Sequence, residues 1–451
     1  MTEDEHPAVT NFREYIRIRT VQPNPDYGAV SSAGLGSNPS SGSRSVCSSP
    51  NCSSSPSCWL INEYLGKPGE ATCTEFLERQ GRELGAKVQV LECVPGRPIV
   101  IMTLEGQDPA LPSLLLNSHT DVVPVFPEHW KHEPFSAHKD EEGNIYGRGT
   151  QDMKSVAMQY LEALKQLKKD GQTFLRTIHL TFVPDEETDG KGTQALLKMD
   201  YFKKMNVGFA LDEGYASTSE NFLVFYGERH SWYVYVRCSG QPGHGSQFLP
   251  NTAGEKLLRV INSFLSFRDK EERRMKDNPD LPLGHVTTLN LTMLEGGVQF
   301  NVVPAQLSVG FDIRIPPTVD VVEFENMLRG WCRDAGEGVV LEIVDSATAT
   351  NMTCVEDGQS PWWDAFSQAC KKEKITIHKE IFPACTDSRF LRELGIPALG
   401  FSPMNNTPRL LHDHNEFISE KVFLRGIQIY VSIISALANV KAEQHAVLVG
   451  V

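Results

Sequence analysis

At 451 residues the chain is too long for one ordinary core, so two domains are expected. Its composition is that of a globular protein, 40% apolar and 22% charged, and a net charge of −14 argues against nucleic acid or an anionic membrane as partner. The acidic N-terminus lacks the apolar core of a secretory signal, no run approaches the ~20 apolar residues of a membrane span, and ten Cys without such a signal read as reduced thiols of a cytoplasmic protein.

Taken in order, Phe12–Ile18 reads as an amphipathic helix that Pro23 and Pro25 end. Asp26-Tyr27-Gly28 looks like the start of a second helix, and then the pattern breaks. Thirteen of the 28 residues from Ser31 to Cys58 are Ser, a low-complexity stretch that cannot bury enough surface to offset its ordering entropy. The spacing of Cys47, Cys52 and Cys58 suits no common zinc knuckle. Helical pattern resumes at Thr72 and stops at Gly85. Strands are expected at Lys87–Leu91, Ile99–Thr103, Leu114–Asn117, Thr177–Val183 and Gly208–Leu211, with a helix over Lys154–Leu167. Strand–helix alternation predicts an α/β domain with a mostly parallel sheet covered on both faces.

The grammar changes near Glu228. Trp232–Cys238, a helix from Thr252 through Lys276, Val286–Leu294, Gln306–Ile315, Val321–Ala335 and Val339–Val344 give the order β-α-β-β-α-β of a small ferredoxin-like α+β domain. Alternation returns after Asn351 and runs to about Val440. The reading is a catalytic domain over 1–228, with a Ser/Cys-rich insertion at about 31–71, a smaller domain over 229–346, and the rest of the catalytic domain over 347–451, with a C-terminal tail from about 440.

Chemistry-bearing residues collect where strands should end. His119 and Asp121 follow Leu114-Leu115-Leu116, and two residues apart on extended chain they point the same way. Asp152 opens a helix from a Gly-rich turn. Asp185-Glu186-Glu187 follows Ile178–Val183, Asp212-Glu213 follows Val207–Leu211, and His412-Asp413-His414 follows Leu410-Leu411. Each has a plainer reading alone: a structural histidine, a helix N-cap, first-turn charges or a turn former. Together, several carboxylates at one sheet edge need cations to neutralise them. Imidazole with carboxylate and no Cys suits zinc, and the number of groups suits two ions, one Asp bridging them.

His119-Thr-Asp121, Gly-Arg-Gly-Thr-Gln-Asp152-Met-Lys, Pro-Asp-Glu186-Glu187, Leu-Asp212-Glu-Gly, Gly-Gln-Pro-Gly-His244 and Leu-His412-Asp-His resemble the motifs of the di-zinc aminoacylase/carboxypeptidase family, over nearly the whole chain except about 31–71. The resemblance implies a homodimeric amidohydrolase with two zinc ions per chain, cleaving N-acyl (N-acetyl) L-amino acids. His119, Asp152 and Asp212 are then expected on one zinc, and Asp152, Glu187 and His412 on the other. Asp121 is expected to hydrogen-bond His119 and fix its tautomer, and Glu186 to be the general base. His244 is expected to stabilise the oxyanion in the neighbouring subunit's site. Asn301, Arg314 and Arg389 are candidates for substrate binding, the two Arg for its carboxylate, although a structural ion pair explains either Arg equally well. The small domain is expected to be the dimerisation or lid domain.

Two departures from the family stand out. Thr-Asp-Gly-Lys-Gly follows Glu187 where a tighter Gly-Gly turn is common, and the Ser/Cys-rich insertion interrupts one helix of the catalytic domain. The insertion is expected to loop out, so that protease clips it and activity survives. A dipeptidase or carboxypeptidase on the same scaffold differs only in an acyl pocket the sequence does not shape. A non-catalytic binding protein of the same fold is opposed by the intact Glu186 and the complete ligand set.

Overall fold

The structure, a computed structural model, describes residues 5–23, 25, 72–346 and 351–442. The insertion at 31–71, its three cysteines and the short helix expected at Asp26 lie outside the described residues. The chain forms two compact units: Met1–Phe222 with Glu356–Ile377 and Phe401–Val451, and Leu223–Val355 with His378–Gly400. The second unit thus takes in 378–400 as well as the central stretch.

In the first unit five strands lie in the hydrogen-bonded order Lys87–Val94, Arg97–Leu104, Ile178–Val183, Ser113–His119, Val207–Asp212. The first two form an antiparallel hairpin, and Arg97–Leu104 also runs antiparallel to Ile178–Val183. Ser113–His119 is parallel to both its neighbours, with Leu116 opposite Leu180 on one side and Leu211 on the other. The sheet is therefore mixed, parallel where it carries the acidic and histidine residues and antiparallel at its edge. Every residue of Ser113–His119 and of Ile178–Val183 is buried, which is why these strands read as continuous runs rather than alternating ones. All three parallel strands end at the same edge, the place where an open α/β sheet binds ligands.

Local chemistry sets the helix ends. Thr72 and Glu75 form a reciprocal capping box on Cys73–Leu84, and Gly85, at φ 67°, closes it in the left-handed region that favours glycine. Helix Lys154–Lys169 packs against the His119 strand and the long helix Glu420–Leu437. Lys154 is wholly buried; its ammonium donates to the carbonyls of Tyr15 and Ile18, tying the end of Pro7–Arg17 to the first turn of the helix. A three-stranded sheet, Phe417–Ser419, Asn144–Tyr146 and His138–Lys139, was not foreseen, because strands of two or three residues show no period. It sets the 147–152 turn beside Glu416, whose carbonyl accepts the Gly147 N–H at 3.0 Å.

The second unit holds a four-stranded antiparallel sheet in the order Thr288–Gly296, Gln306–Ile315, His230–Ser239, Val339–Ser346. With helices Ala253–Lys276 and Val321–Ala335 it has the expected β-α-β-β-α-β order. Along His230–Ser239 burial alternates, and Trp232, Val234, Val236 and Cys238 join Phe264, Phe311 and Phe324 in one core. A short ribbon pairs Gly243–His244 with Val302–Val303. Among the described residues no helix is long and apolar enough to cross a membrane.

Candidate dinuclear metal centre

Three strand ends and two loops of the first unit bring together two groups of ligand atoms, each within 4.8 Å: His119, Asp152 and Glu213, and Asp152, Glu187 and His412. Asp152 belongs to both. Its Oδ1 lies 2.8 Å from His119 Nε2, and its Oδ2 lies 3.3 Å from His412 Nε2. Glu213 Oε1 is 3.5 Å from His119 Nε2, and Glu187 Oε2 is 3.0 Å from His412 Nε2. Donors on one tetrahedral ion at ~2.1 Å stand about 3.4 Å apart, so these separations suit a cation within each group. A carboxylate with one oxygen turned to each group is the shape of a bridging ligand.

The electrostatics point the same way. Burial raises the Asp152 carboxyl, but contacts with His119 and His412 outweigh it and hold it well below the usual range. Burial and the Asp152 charge push Glu187 up to about 7, and the same two causes push Glu213 well up. Contact with Asp152 and Glu187 raises His412 to about 10. Burial would lower His119, but Glu213, Asp121 and Asp152 raise it well above its ordinary value. Without a cation, protons must screen three packed carboxylates; divalent ions would replace those protons.

The candidate groups differ from the expected ligand set at one position. Glu213, not Asp212, faces His119. Asp212 Oδ1 accepts from the Asn117 side-chain amide at 3.2 Å and from the Glu213 N–H at 3.0 Å, inside the sheet edge. Successive residues on extended chain point to opposite sides, so sequence spacing could not choose between them. His412 rather than His414 reaches Glu187; the His414 ring lies against that of His129 at 5.0 Å. His412 holds this position at φ 61°, a left-handed conformation that costs about 1 kcal/mol or more for a non-glycine residue.

The contact expected between Asp121 and His119 also differs in detail. His119 Nδ1 meets the Asp121 backbone carbonyl at 2.9 Å, while the nearer carboxylate oxygen stands 3.5 Å away. The main chain therefore fixes the ring. The Asp121 carboxylate instead accepts the N–H groups of Glu186 at 3.2 Å and Glu187 at 3.1 Å. It holds the turn on which ligand and expected base sit side by side. Glu187 enters a metal group and Glu186 does not.

A residue the sequence reading passed over braces Asp152. Glu416 is fully buried, and its carboxylate accepts from the Arg148 guanidinium at 2.7 Å and from the N–H groups of Gln151 at 2.6 Å and Gly149 at 3.2 Å. It fixes the Gly-rich turn that presents the shared ligand. An acid two residues beyond a His-Asp-His run was the available signal.

Residues 115–436 match the signature of Peptidase family M20/M25/M40. The chain belongs to that family. Membership makes it a hydrolase of amide bonds with the family's α/β fold. It is 52% identical to aminoacylase-1 of Mus musculus over 439 residues, which is 97% of each chain. Aminoacylase-1 of Dictyostelium discoideum is 43% identical over 97% of this chain and 99% of its own. Among solved structures, the M20 family metallo-carboxypeptidase Sso-CP2 from Sulfolobus solfataricus has the same fold at 17% identity. Its TM-score is 0.64, and the match covers 96% of this chain and all of that one.

The other expected site residues lie in the second unit. His244 is exposed in the short ribbon, its Nδ1 2.8 Å from Ser246 Oγ and 3.2 Å from the Ser246 nitrogen. Asn301 is exposed, and its carbonyl accepts the Gly245 N–H at 2.8 Å. Arg314 is paired with Asp312, two residues back on its strand, at 2.7 Å and lies over the Tyr233 ring. Arg389 lies over Phe390, and the charges of both Arg389 and Arg314 favour the thiolate of the half-buried Cys385. The ion pair that would explain either Arg without a substrate is present at Arg314.

Proposed function

We propose that the chain is a zinc-dependent aminoacylase, hydrolysing N-acyl L-amino acids to the free L-amino acid and a carboxylate. The observation that carries this reading is the Asp152 carboxylate, turned by one oxygen to His119 and by the other to His412, beside the turn that bears Glu186. The identity to aminoacylase-1 along nearly the whole chain supports the substrate class. In this reading His119, Asp152 and Glu213 hold one zinc, and Asp152, Glu187 and His412 the other. Bound there, two ions lower the pKa of a water and polarise the amide carbonyl.

The chain's own residues do the rest. Glu186 takes a proton from the attacking water and delivers it to the leaving amine nitrogen. Asp121 keeps the Glu186 main chain in place. The Ser246 N–H donates to His244 Nδ1, so a neutral His244 ring carries its proton on Nε2. That N–H is the donor offered to the developing oxyanion, in the site of a second copy. Asn301, Arg314 and Arg389 are the substrate-binding groups, the two Arg for the amino acid's carboxylate, which a guanidinium can grip with two N–H groups. Homodimerisation belongs to the same reading. A cytoplasmic location is supported by the seven described cysteines, all free thiols.

The deciding experiment is hydrolysis of N-acetyl-L-methionine by the purified full chain, before and after chelation, with zinc counted. Activity lost with the chelator and regained at about two zinc ions per chain supports the reading; zinc-loaded protein with no turnover of any N-acyl amino acid sinks it. Mixing inactive His244→Ala with inactive Glu186→Gln tests the dimer, since activity returns only if the two residues act across subunits.

A further inference from the structure

The segment Thr20–Gln22 lies along the loop that leaves the His119 strand. Thr20 Oγ1 donates to the Thr120 carbonyl at 2.5 Å, the Val122 N–H to the Thr20 carbonyl at 3.0 Å, and the Gln22 N–H to the Val122 carbonyl at 3.0 Å. Val21 and Val122 make a parallel bridge. This ladder aims the Gln22 side chain at two points of the catalytic edge. Its Nε2 donates to Asp121 Oδ2 at 3.0 Å and to the Pro184 carbonyl at 3.1 Å. Pro184 leads directly into Asp185-Glu186-Glu187, and the Asp121 carboxylate accepts the N–H groups of Glu186 and Glu187. One primary amide thus joins the strand end bearing His119 to the strand end bearing Glu186.

Only an NH₂ group offers two hydrogens from one neutral atom, one for the carboxylate and one for the carbonyl. A carboxylate in its place would face Asp121 with like charge. The strap itself is held by backbone bonds and by Thr20, so changing the Gln22 side chain removes the amide contacts and leaves the strap in place.

We propose that Gln22 is a positioning residue for hydrolysis, acting through Asp121 and Pro184 to hold Glu186 where the attacking water must be deprotonated. The proposal rests on Glu186 being the base. Its test uses full-length Gln22→Met, which keeps length and bulk without the donors, and Gln22→Glu, which keeps shape and adds charge. Turnover of N-acetyl-L-methionine, zinc per chain and the thermal midpoint are measured for each, alone and in a Glu186→Gln background.

With Gln22→Met, kcat falls about tenfold, the loss of a hydrogen bond to a charged group. KM, zinc content and the thermal midpoint stay as in the parent. Gln22→Glu falls further. Once Glu186 is Gln, Gln22→Met costs nothing more, because residues that act as one unit are not additive. Wild-type kcat in Gln22→Met overturns the proposal. So does a tenfold loss that persists without Glu186, or one explained by lost zinc or a lower midpoint. An unmutated chain that hydrolyses no N-acyl amino acid removes the aminoacylase reading and this proposal together, whereas unaffected Gln22 variants of an active enzyme remove this proposal alone.

Discussion

Replacing Glu416 by Gln is the sharpest test of how the shared ligand is held. The side chain is buried, with Arg148, only 2% exposed, against one oxygen at 2.7 Å and the Gln151 N–H against the other at 2.6 Å. Gly149 adds a second N–H to the Arg148 side. Every partner is a donor, so a Gln amide must turn its own NH₂ toward donors whichever way it is flipped. The substitution also leaves the Arg148 charge buried without its carboxylate. Breaking a buried pair from one side costs about 3–5 kcal/mol, which lowers the thermal midpoint of a domain this size by about 10 °C. The turn that loosens is the one bearing Asp152, and losing such a supporting contact weakens metal binding about 10–100-fold. Thermal unfolding of the metal-free and zinc-loaded protein reads the first effect, and zinc competition with a chromophoric chelator reads the second. A Glu416→Gln protein that melts with the wild type and binds both ions as tightly would refute the bracing argument.

Other outcomes follow from the same geometry. Glu186→Gln keeps both zinc ions and loses about 10²–10⁴ in kcat, measured by turnover beside a metal count. Glu213→Ala loses one zinc while Asp212→Asn keeps two, which metal analysis of the purified variants reads directly; the reverse result would restore Asp212 as ligand. The metal-free protein should lose stability as pH rises. Glu187, raised from 4.5 to about 7, and His412, raised from 6.5 to about 10, both bind more protons folded than unfolded. Their contribution is complete below 4.5 and 6.5 and fades as pH passes 7 and 10. Asp152 has the opposite shift, and its contribution is already complete above its ordinary value of 3.8. Zinc displaces those protons, so the zinc-induced rise in thermal midpoint grows between about pH 5 and 8; a constant increment across that range would contradict the electrostatics.

Part of the candidate metal centre was legible because apolar runs mark where strands stop, as they do before His119 and Glu187; Asp152 was marked instead by the Gly-rich turn that opens its helix, and His412 by the motif resemblance. The β-α-β-β-α-β order was legible for a related reason: its strands are long enough to show alternation, as His230–Ser239 does. Neighbouring acids were not separable. At 186 and 187 the resemblance named Glu187 as the ligand, and Glu187 is the one that enters a candidate metal group; at 212 and 213 it named Asp212, whereas the candidate group holds Glu213. Strand direction at the sheet's edge leaves no local trace, so the antiparallel hairpin Lys87–Leu104 read only as two strands. Glu416 and Gln22 were missed because what they touch is remote in sequence. An acceptor for a turn, or a donor to a carboxylate, leaves no period and no spacing.

Glu416 has a consequence for how the enzyme is made. His119, Glu187 and Glu213 have all been synthesised when half the chain is still to come. The carboxylate that secures the Asp152 turn comes 264 residues after Asp152, just behind His412. At ordinary synthesis rates of about 5–20 residues per second, the nascent chain carries an unbraced cluster of acids for tens of seconds. Metal loading is then a late event, tied to release of a nearly complete chain. Any product truncated before Glu416 lacks a competent dinuclear site, however well its N-terminal half has folded.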